Sequence, residues 1–467
     1  MAGPRGLERL TAQDLLMLWA DDFGWSEDIG VLAILDGARL LDADGRVRVD
    51  EVRRRLQPRL HLVPRLRQLL YRPRWGLGWP LWVDAASFDL ADHVRVHPLA
   101  PPGDEAQLLA ACAELYRRRL DPARPLWEAW LLPGLPGRQV GLFLRAHHTL
   151  ADGVAGMAAF GALLDLGADP PVPVAPAWAP APPPSTGDLL RDNLRRRLRG
   201  LGRGLSALAR AGGPRGASLG VWREFLAERA PRTSLNRPIG ADRRLAVVRG
   251  RLEVARVVAH AHRAKVNDVV LAAVAGGLRQ LLAGRGEDVR ELALRVMVPV
   301  SLHREQPGRA SGNRDAVMLV PLPLGEPDPV RRLELIAAET AARKGRARPP
   351  MGGGLFGLVA VQRAWYRLLA RQRTVNLVVT NVPGPPVPLY LAGARLLELF
   401  PVAAIMGNLT LAVAVLSYAG QLNLTVIADR DTCPDLEVFA QGMQAALDDL
   451  ERPVCHTGAM RWNLLLR

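Results

Sequence analysis

The chain has 467 residues, 49% of them hydrophobic, enough to build cores for two sizeable domains and too apolar for a disordered protein. Its formal net charge of +15 comes mainly from arginine. No helix-turn-helix, zinc-finger or aromatic RNA-binding signature accompanies that charge, so it points away from nucleic acid and toward other anionic partners such as phospholipid headgroups.

The N-terminal Arg5, Glu8, Arg9 and Asp14 precede only a short apolar run, which argues against a cleaved secretory signal. Further along, Pro125-Leu126-Trp127-Glu128 leads toward the apolar run Val140 to Ala146, which has the residue types of a buried strand. Directly after it comes His147-His148-Thr149-Leu150-Ala151-Asp152-Gly153, whose small residues begin a helical stretch reaching Phe160. The segment H-H-x-x-x-D-G thus occupies a strand-to-helix turn. Eight of the fifteen residues from Pro170 to Pro184 are proline, a composition that holds neither helix nor internal strand and favours an extended spacer. The expected organisation is residues 1–170, a spacer and basic linker over 171–235, and a second half over 236–467.

Within the linker, Asp188 to Arg215 carries eight arginines against two aspartates, and Leu190, Leu194, Leu198, Leu201, Leu205 and Leu208 recur at three and four residues. That spacing puts leucines on one face of a helix ringed by arginine, able to lie in an anionic membrane surface or to pack on the protein body. Alternation resumes near Asn236. Strands are expected over Leu245–Leu252, Leu294–Val300, Val317–Leu322 and Val375–Thr380, and helices over Val254–Arg263, Asn267–Leu282 and Pro329–Arg343. Met351 to Ala370, opening on three glycines, reads equally as a mobile lid or a buried helix. From Leu399 to Ala428 there is no charged residue, a length that could span a bilayer. We read it instead as a hairpin, Thr410–Tyr418 and Gln421–Ile427 joined at Ala419-Gly420. Mixed α/β halves follow.

Adjacent residues at a strand end face opposite ways, so His147 and His148 divide the work: one imidazole does chemistry and the other packs. Histidine titrates near neutrality and suits general-base catalysis, while Asp152 shapes the turn and Gly153 leaves room for a close approach. A pair of core histidines beside a turn aspartate is the bland alternative. Metal binding is disfavoured, because adjacent histidines diverge and no further ligand stands at suitable spacing. Cys112, Cys433 and Cys455 form no C-x-x-C pair, implying neither a disulfide framework nor a zinc site and fitting a reducing cytoplasm.

These motifs, with Leu235-Asn236-Arg237-Pro238-Ile239-Gly240, Asn267-Asp268, Val298-Pro299-Val300-Ser301-Leu302, Gly312-Asn313-Arg314 and Asn381-Val382-Pro383-Gly384-Pro385 in this order, resemble the bacterial wax ester synthase/diacylglycerol acyltransferases. That family lies within the chloramphenicol acetyltransferase-like and condensation-domain folds. The resemblance implies an α/β fold of mixed sheets in two similar subdomains, with a substrate tunnel at their interface. It implies acyl-CoA as the acyl donor, diacylglycerol or a long-chain alcohol as the acceptor, and no cofactor, metal or acyl-enzyme. His148 would be the general base and His147 its support. Asp152 would be a structural carboxylate paired with Arg295 or, locally, Arg145. From its own place opening a helix with Asp268, Asn267 is assigned to stabilising the oxyanion, the alternative being a plain helix cap, and Pro125 and Trp127 are expected to pack beneath the site. The expected location is cytoplasmic, on the inner face of the cell membrane or on lipid inclusions. The competing readings are a condensation-type synthase using carrier-protein thioesters and a non-catalytic lipid-surface protein.

Overall fold

A computed structural model describes residues 7–74, 76–150, 153–171, 173–209, 229–301, 315–344 and 366–458. Its frame is two six-stranded sheets. In the first half these are β1 (Asp28–Asp36), β4 (Val94–Val96), β5 (Trp127–Leu135) and β6 (Gln139–His147), while β2 (Gln68–Tyr71) and β3 (Leu81–Asp84) form a separate ribbon. The helices here are α1 (Ala12–Ala20), α2 (Val49–Leu56), α3 (Glu105–Arg117), α4 (Gly153–Ala162) and α5 (Thr186–Ala209). In the second half, β7 (Arg243–Arg251), α6 (Leu252–Ala261), α7 (Val266–Gly284), β8 (Ala293–Ser301), β9 (Asp315–Pro323) and α8 (Pro329–Lys344) follow in order. The chain closes with β10 (Leu377–Val382), β11 (Tyr390–Leu391), β12 (Ala394–Val402), β13 (Leu411–Tyr418), β14 (Gln421–Asp429) and α9 (Leu436–Gly458).

The sheets do not follow the halves completely. The first runs β11-β12-β1-β6-β5-β4 and the second β7-β14-β13-β10-β8-β9, so residues 390–402 leave the second half to complete the first sheet. β12 pairs antiparallel with β1, Gly30 opposite Val402 and Ala33 opposite Leu399. The reason is in its side chains: Leu396 and Leu399 join the core on one face of the first sheet, Phe400 and Val402 the core on the other. A strand apolar on both faces needs an internal position with both faces covered. A boundary drawn at the proline-rich segment therefore misses this exchange.

The uncharged stretch from Leu399 is strand, not membrane helix. β13 and β14 pair from Leu411 opposite Ala428 to Tyr418 opposite Gln421. The turn has Ala419 at φ 44° and Gly420 at φ 86°, as a tight two-residue hairpin requires. Among the described residues one helix, α7, is long and apolar enough to cross a membrane. Its residues Val269 to Ala275 are at most 1% exposed and form the core of the second half, which accounts for their hydrophobicity. α7 approaches α9 closely because Gly277 has no side chain: a Cβ there would stand 2.6 Å from the Phe439 carbonyl oxygen. A third cluster, with Leu32, Phe143 and Phe400 of the first sheet against Leu245, Ala412 and Ile427 of the second, joins the halves.

Candidate active site

β6 delivers the motif. It lies between β1 and β5, with His147 opposite Asp28, and the His147 N–H donates to the Leu126 carbonyl at 2.9 Å. The His148 N–H donates to the Glu27 carbonyl at 2.8 Å, so the backbone of the pair is fixed from both neighbouring strands. Ala151 and Asp152 lie outside the described residues. Gly153 opens α4, and a Cβ on it would meet Val382 Cγ2 at 3.1 Å. The glycine thus permits a close approach between the motif turn and β10 of the second sheet.

The two imidazoles are in different situations. His147 is 3% exposed. Its Nδ1 accepts the Thr149 main-chain N–H at 3.2 Å and lies 2.8 Å from Thr149 Oγ1, an arrangement that assigns the neutral ring's proton to Nε2. Nε2 is 3.2 Å from Asp21 Oδ2, a charge contact off the line of a hydrogen bond. Both nitrogens of His147 thus face protein groups. His148 is half-buried.

Beneath the pair is a buried charge network. Arg145, 1% exposed, donates to Asp28 Oδ2 at 3.3 Å, Glu128 Oε2 at 3.1 Å and the Tyr116 carbonyl at 3.1 Å, and also to the Arg118 carbonyl. These bonds use Nη1 and Nη2 of the guanidinium that the sequence offered as a local mate for Asp152, a pairing that lies outside the described residues. Burial raises the Asp28 carboxyl above the ordinary range, against the lowering effect of Arg145. Glu27 is 2% exposed with Oε1 unpartnered; burial, then the charges of Asp21 and Asp28, push its pKa up to about 8.

Asn267 is the second residue of α7, so it is not the helix cap. That position belongs to Lys265, whose N–H donates to Asp268 Oδ2 at 2.8 Å. Asp268 also accepts from Thr340 Oγ1 at 2.7 Å, a structural role that ties α7 to α8. Asn267 Oδ1 meets Asn381 Nδ2 at 3.4 Å, one residue before the Val382 that touches Gly153. Motif turn, α7 start and β10 end therefore converge. The pairing expected between Arg295 and Asp152 lies outside the described residues. Arg295 is buried on β8, its backbone exchanging bonds with Asn376 (2.9 and 2.8 Å). β8 and β10 run parallel with Val296 beside Leu377. Val382 is five residues further on, roughly 17 Å at strand rise.

Pro125 is buried, and its carbonyl accepts the Trp127 N–H at 2.8 Å. Trp127, 2% exposed, donates from Nε1 to the Leu66 carbonyl at 2.9 Å and stacks on His93 at 4.6 Å. It also lines a wholly apolar cavity with Leu144, Phe160, Leu163, Leu164 and Leu391. Asp21, Glu27 and Asn381 were not singled out as site residues from sequence, because nothing local marks a residue that meets the motif only through sheet pairing or helix packing. Thr149, two residues after His147, was within local reach.

Residues 10–270 match the family model of the wax ester synthase/diacylglycerol acyltransferase catalytic domain, and 311–451 that of its C-terminal domain. The chain is 33% identical to a probable diacylglycerol O-acyltransferase of Mycobacterium tuberculosis, over 94% of this chain and 95% of that one. The solved wax ester synthase/diacylglycerol acyltransferase from Marinobacter aquaeolei VT8 superposes with a TM-score of 0.68 at 27% identity, covering 95% and 99% of the two chains. The starter condensation domain of rhizomide synthetase shares the fold (TM-score 0.58, 16% identity, 95% and 96% covered). With the motif turn, both matched domains and this architecture in agreement, the chain belongs to the wax ester synthase/diacylglycerol acyltransferase family and is an acyltransferase.

Proposed function

We propose that the chain transfers a long-chain acyl group from acyl-CoA to the hydroxyl of diacylglycerol or a long-chain alcohol, with His148 as the general base. The observation that supports this is the difference between the pair: His147 is buried with its nitrogens facing Thr149 and Asp21, while His148 is the half-buried member at the end of β6. His148 takes the acceptor's proton as the oxygen attacks the thioester carbon, and returns it to the coenzyme A thiolate when the carbon–sulfur bond breaks. Asn267, beside the N-terminal amides of α7 and against Asn381, suits stabilisation of the tetrahedral oxyanion. Asp152 would hold the turn in shape. Both acceptors are insoluble in water, so the enzyme would work cytoplasmically at the membrane or lipid-inclusion surface, with no nucleic acid partner.

The test is purified protein with labelled acyl-CoA and either diacylglycerol or hexadecanol, analysed for triacylglycerol and wax ester. His148→Ala should lower turnover about 10² to 10⁴-fold. Unchanged turnover in that variant would refute the assignment of the base.

A further inference from the structure

Helix α5 sits on the protein by one flank. Asp192 Oδ2 accepts from the buried Arg9 Nε at 2.5 Å, and Arg9 Nη2 also reaches the Leu189 carbonyl at 3.3 Å. Asn193 Nδ2 donates to the Gly76 carbonyl at 2.9 Å, Arg196 Nη2 to the Leu7 carbonyl at 3.4 Å, and Leu189 is 1% exposed. At 100° per residue, positions 189, 192, 193 and 196 share one side of the helix. On the other side Leu190, Leu194 and Leu198 are 51, 59 and 58% exposed. Arg191, Arg195 and Arg197 are exposed too, and helical spacing sets them around that leucine row.

Over the described side chains the docking contacts use the polar flank with Leu189 and leave Leu190, Leu194 and Leu198 outside, the reverse of how a helix covers a globular core. We propose that the outward face of α5 docks on an anionic lipid bilayer, its leucines entering the headgroup boundary and its arginines meeting lipid phosphates. Charge complementarity selects this occupant: an apolar row bordered by cations fits a surface that is apolar below and anionic above. The helix stands over Arg9 and Trp79. Trp79 and Leu150 of the motif turn pack around one small cluster built from Leu10, Leu15, Leu18 and Trp82. Docking there sets the turn close to the bilayer, where a water-insoluble acceptor resides. The relevance to catalysis rests on the proposed function; the docking does not.

Flotation with phosphatidylcholine vesicles, with and without phosphatidylglycerol, tests it on the full chain. The protein should float with the anionic vesicles and lose binding as salt rises. Arg191→Ser, Arg195→Ser and Arg197→Ser together should lower partition roughly a hundredfold. Leu190→Ala, Leu194→Ala and Leu198→Ala together keep helix propensity and should also release the protein. Arg196→Ser, on the docked flank, should leave partition unchanged. Turnover with a short, soluble alcohol should persist in both triple variants. Vesicle binding indifferent to both triples, or as sensitive to Arg196→Ser, would overturn the proposal. Binding that behaves as expected in a protein that acylates no alcohol would leave the docking standing and remove the acyl-transfer reading.

Discussion

His147 lies against Thr149 and Asp21, and the proposed mechanism gives proton transfer to His148. His147→Ala removes a buried ring that bridges Thr149 and Asp21, so its effect should appear first as a lower melting temperature, with a smaller loss of turnover than His148→Ala. A reversed ranking in kcat would mean that the base is the inner imidazole. Glu27 makes a second prediction at this scale. Its carboxyl titrates at about 8 in the folded chain against 4.5 ordinarily. Below that window both states are protonated; within it the unfolded chain ionises while the folded one keeps its proton. Stability therefore falls as pH rises from 4.5 to about 8, by up to about 1.4 kcal/mol per unit, and the loss is complete above. Glu27→Gln keeps the main-chain carbonyl that holds His148 and should flatten this slope, giving a more stable protein at pH 9. Urea melts across the range would read it, and an unaltered slope would place the buried proton elsewhere.

Among the elements, α7 and α4 set the two walls of the site. Asp268 receives the Lys265 N–H at the start of α7 and the Thr340 hydroxyl from α8. An asparagine can replace one of those acceptors but not both, so Asp268→Asn should cost about 1–2 kcal/mol, measurable by denaturant unfolding. Because Asn267 is next in the chain, turnover should fall with it.

At the scale of the whole molecule, the exchange of β12 makes the halves interdependent. Residues 1–235 alone would expose the β1 edge and the apolar faces that Phe400 and Val402 cover. That fragment should be insoluble when expressed by itself and be recovered by co-expression with residues 236–467. Soluble, cooperative unfolding of the fragment alone would contradict it. The same interdependence builds the site, since Gly153 meets Val382, and Asn381 meets Asn267, only when both sheets are assembled.

The sequence by itself determined most of the elements, because side-chain periodicity records which faces are buried. Val140 to Ala146 became β6, the uncharged stretch became the β13–β14 hairpin, and among the described residues of the motif His147 ends β6 while Gly153 opens α4. It also carried the family, through residue types at fixed local spacing. Only the tertiary structure decided what each face is buried against. The crossing of β12, the contact of His147 with Asp21 and the outward turn of Leu190, Leu194 and Leu198 all depend on residues far apart in the chain. A periodic pattern states that a surface must be covered or exposed, and its partner is chosen by packing among elements that no local spacing encodes.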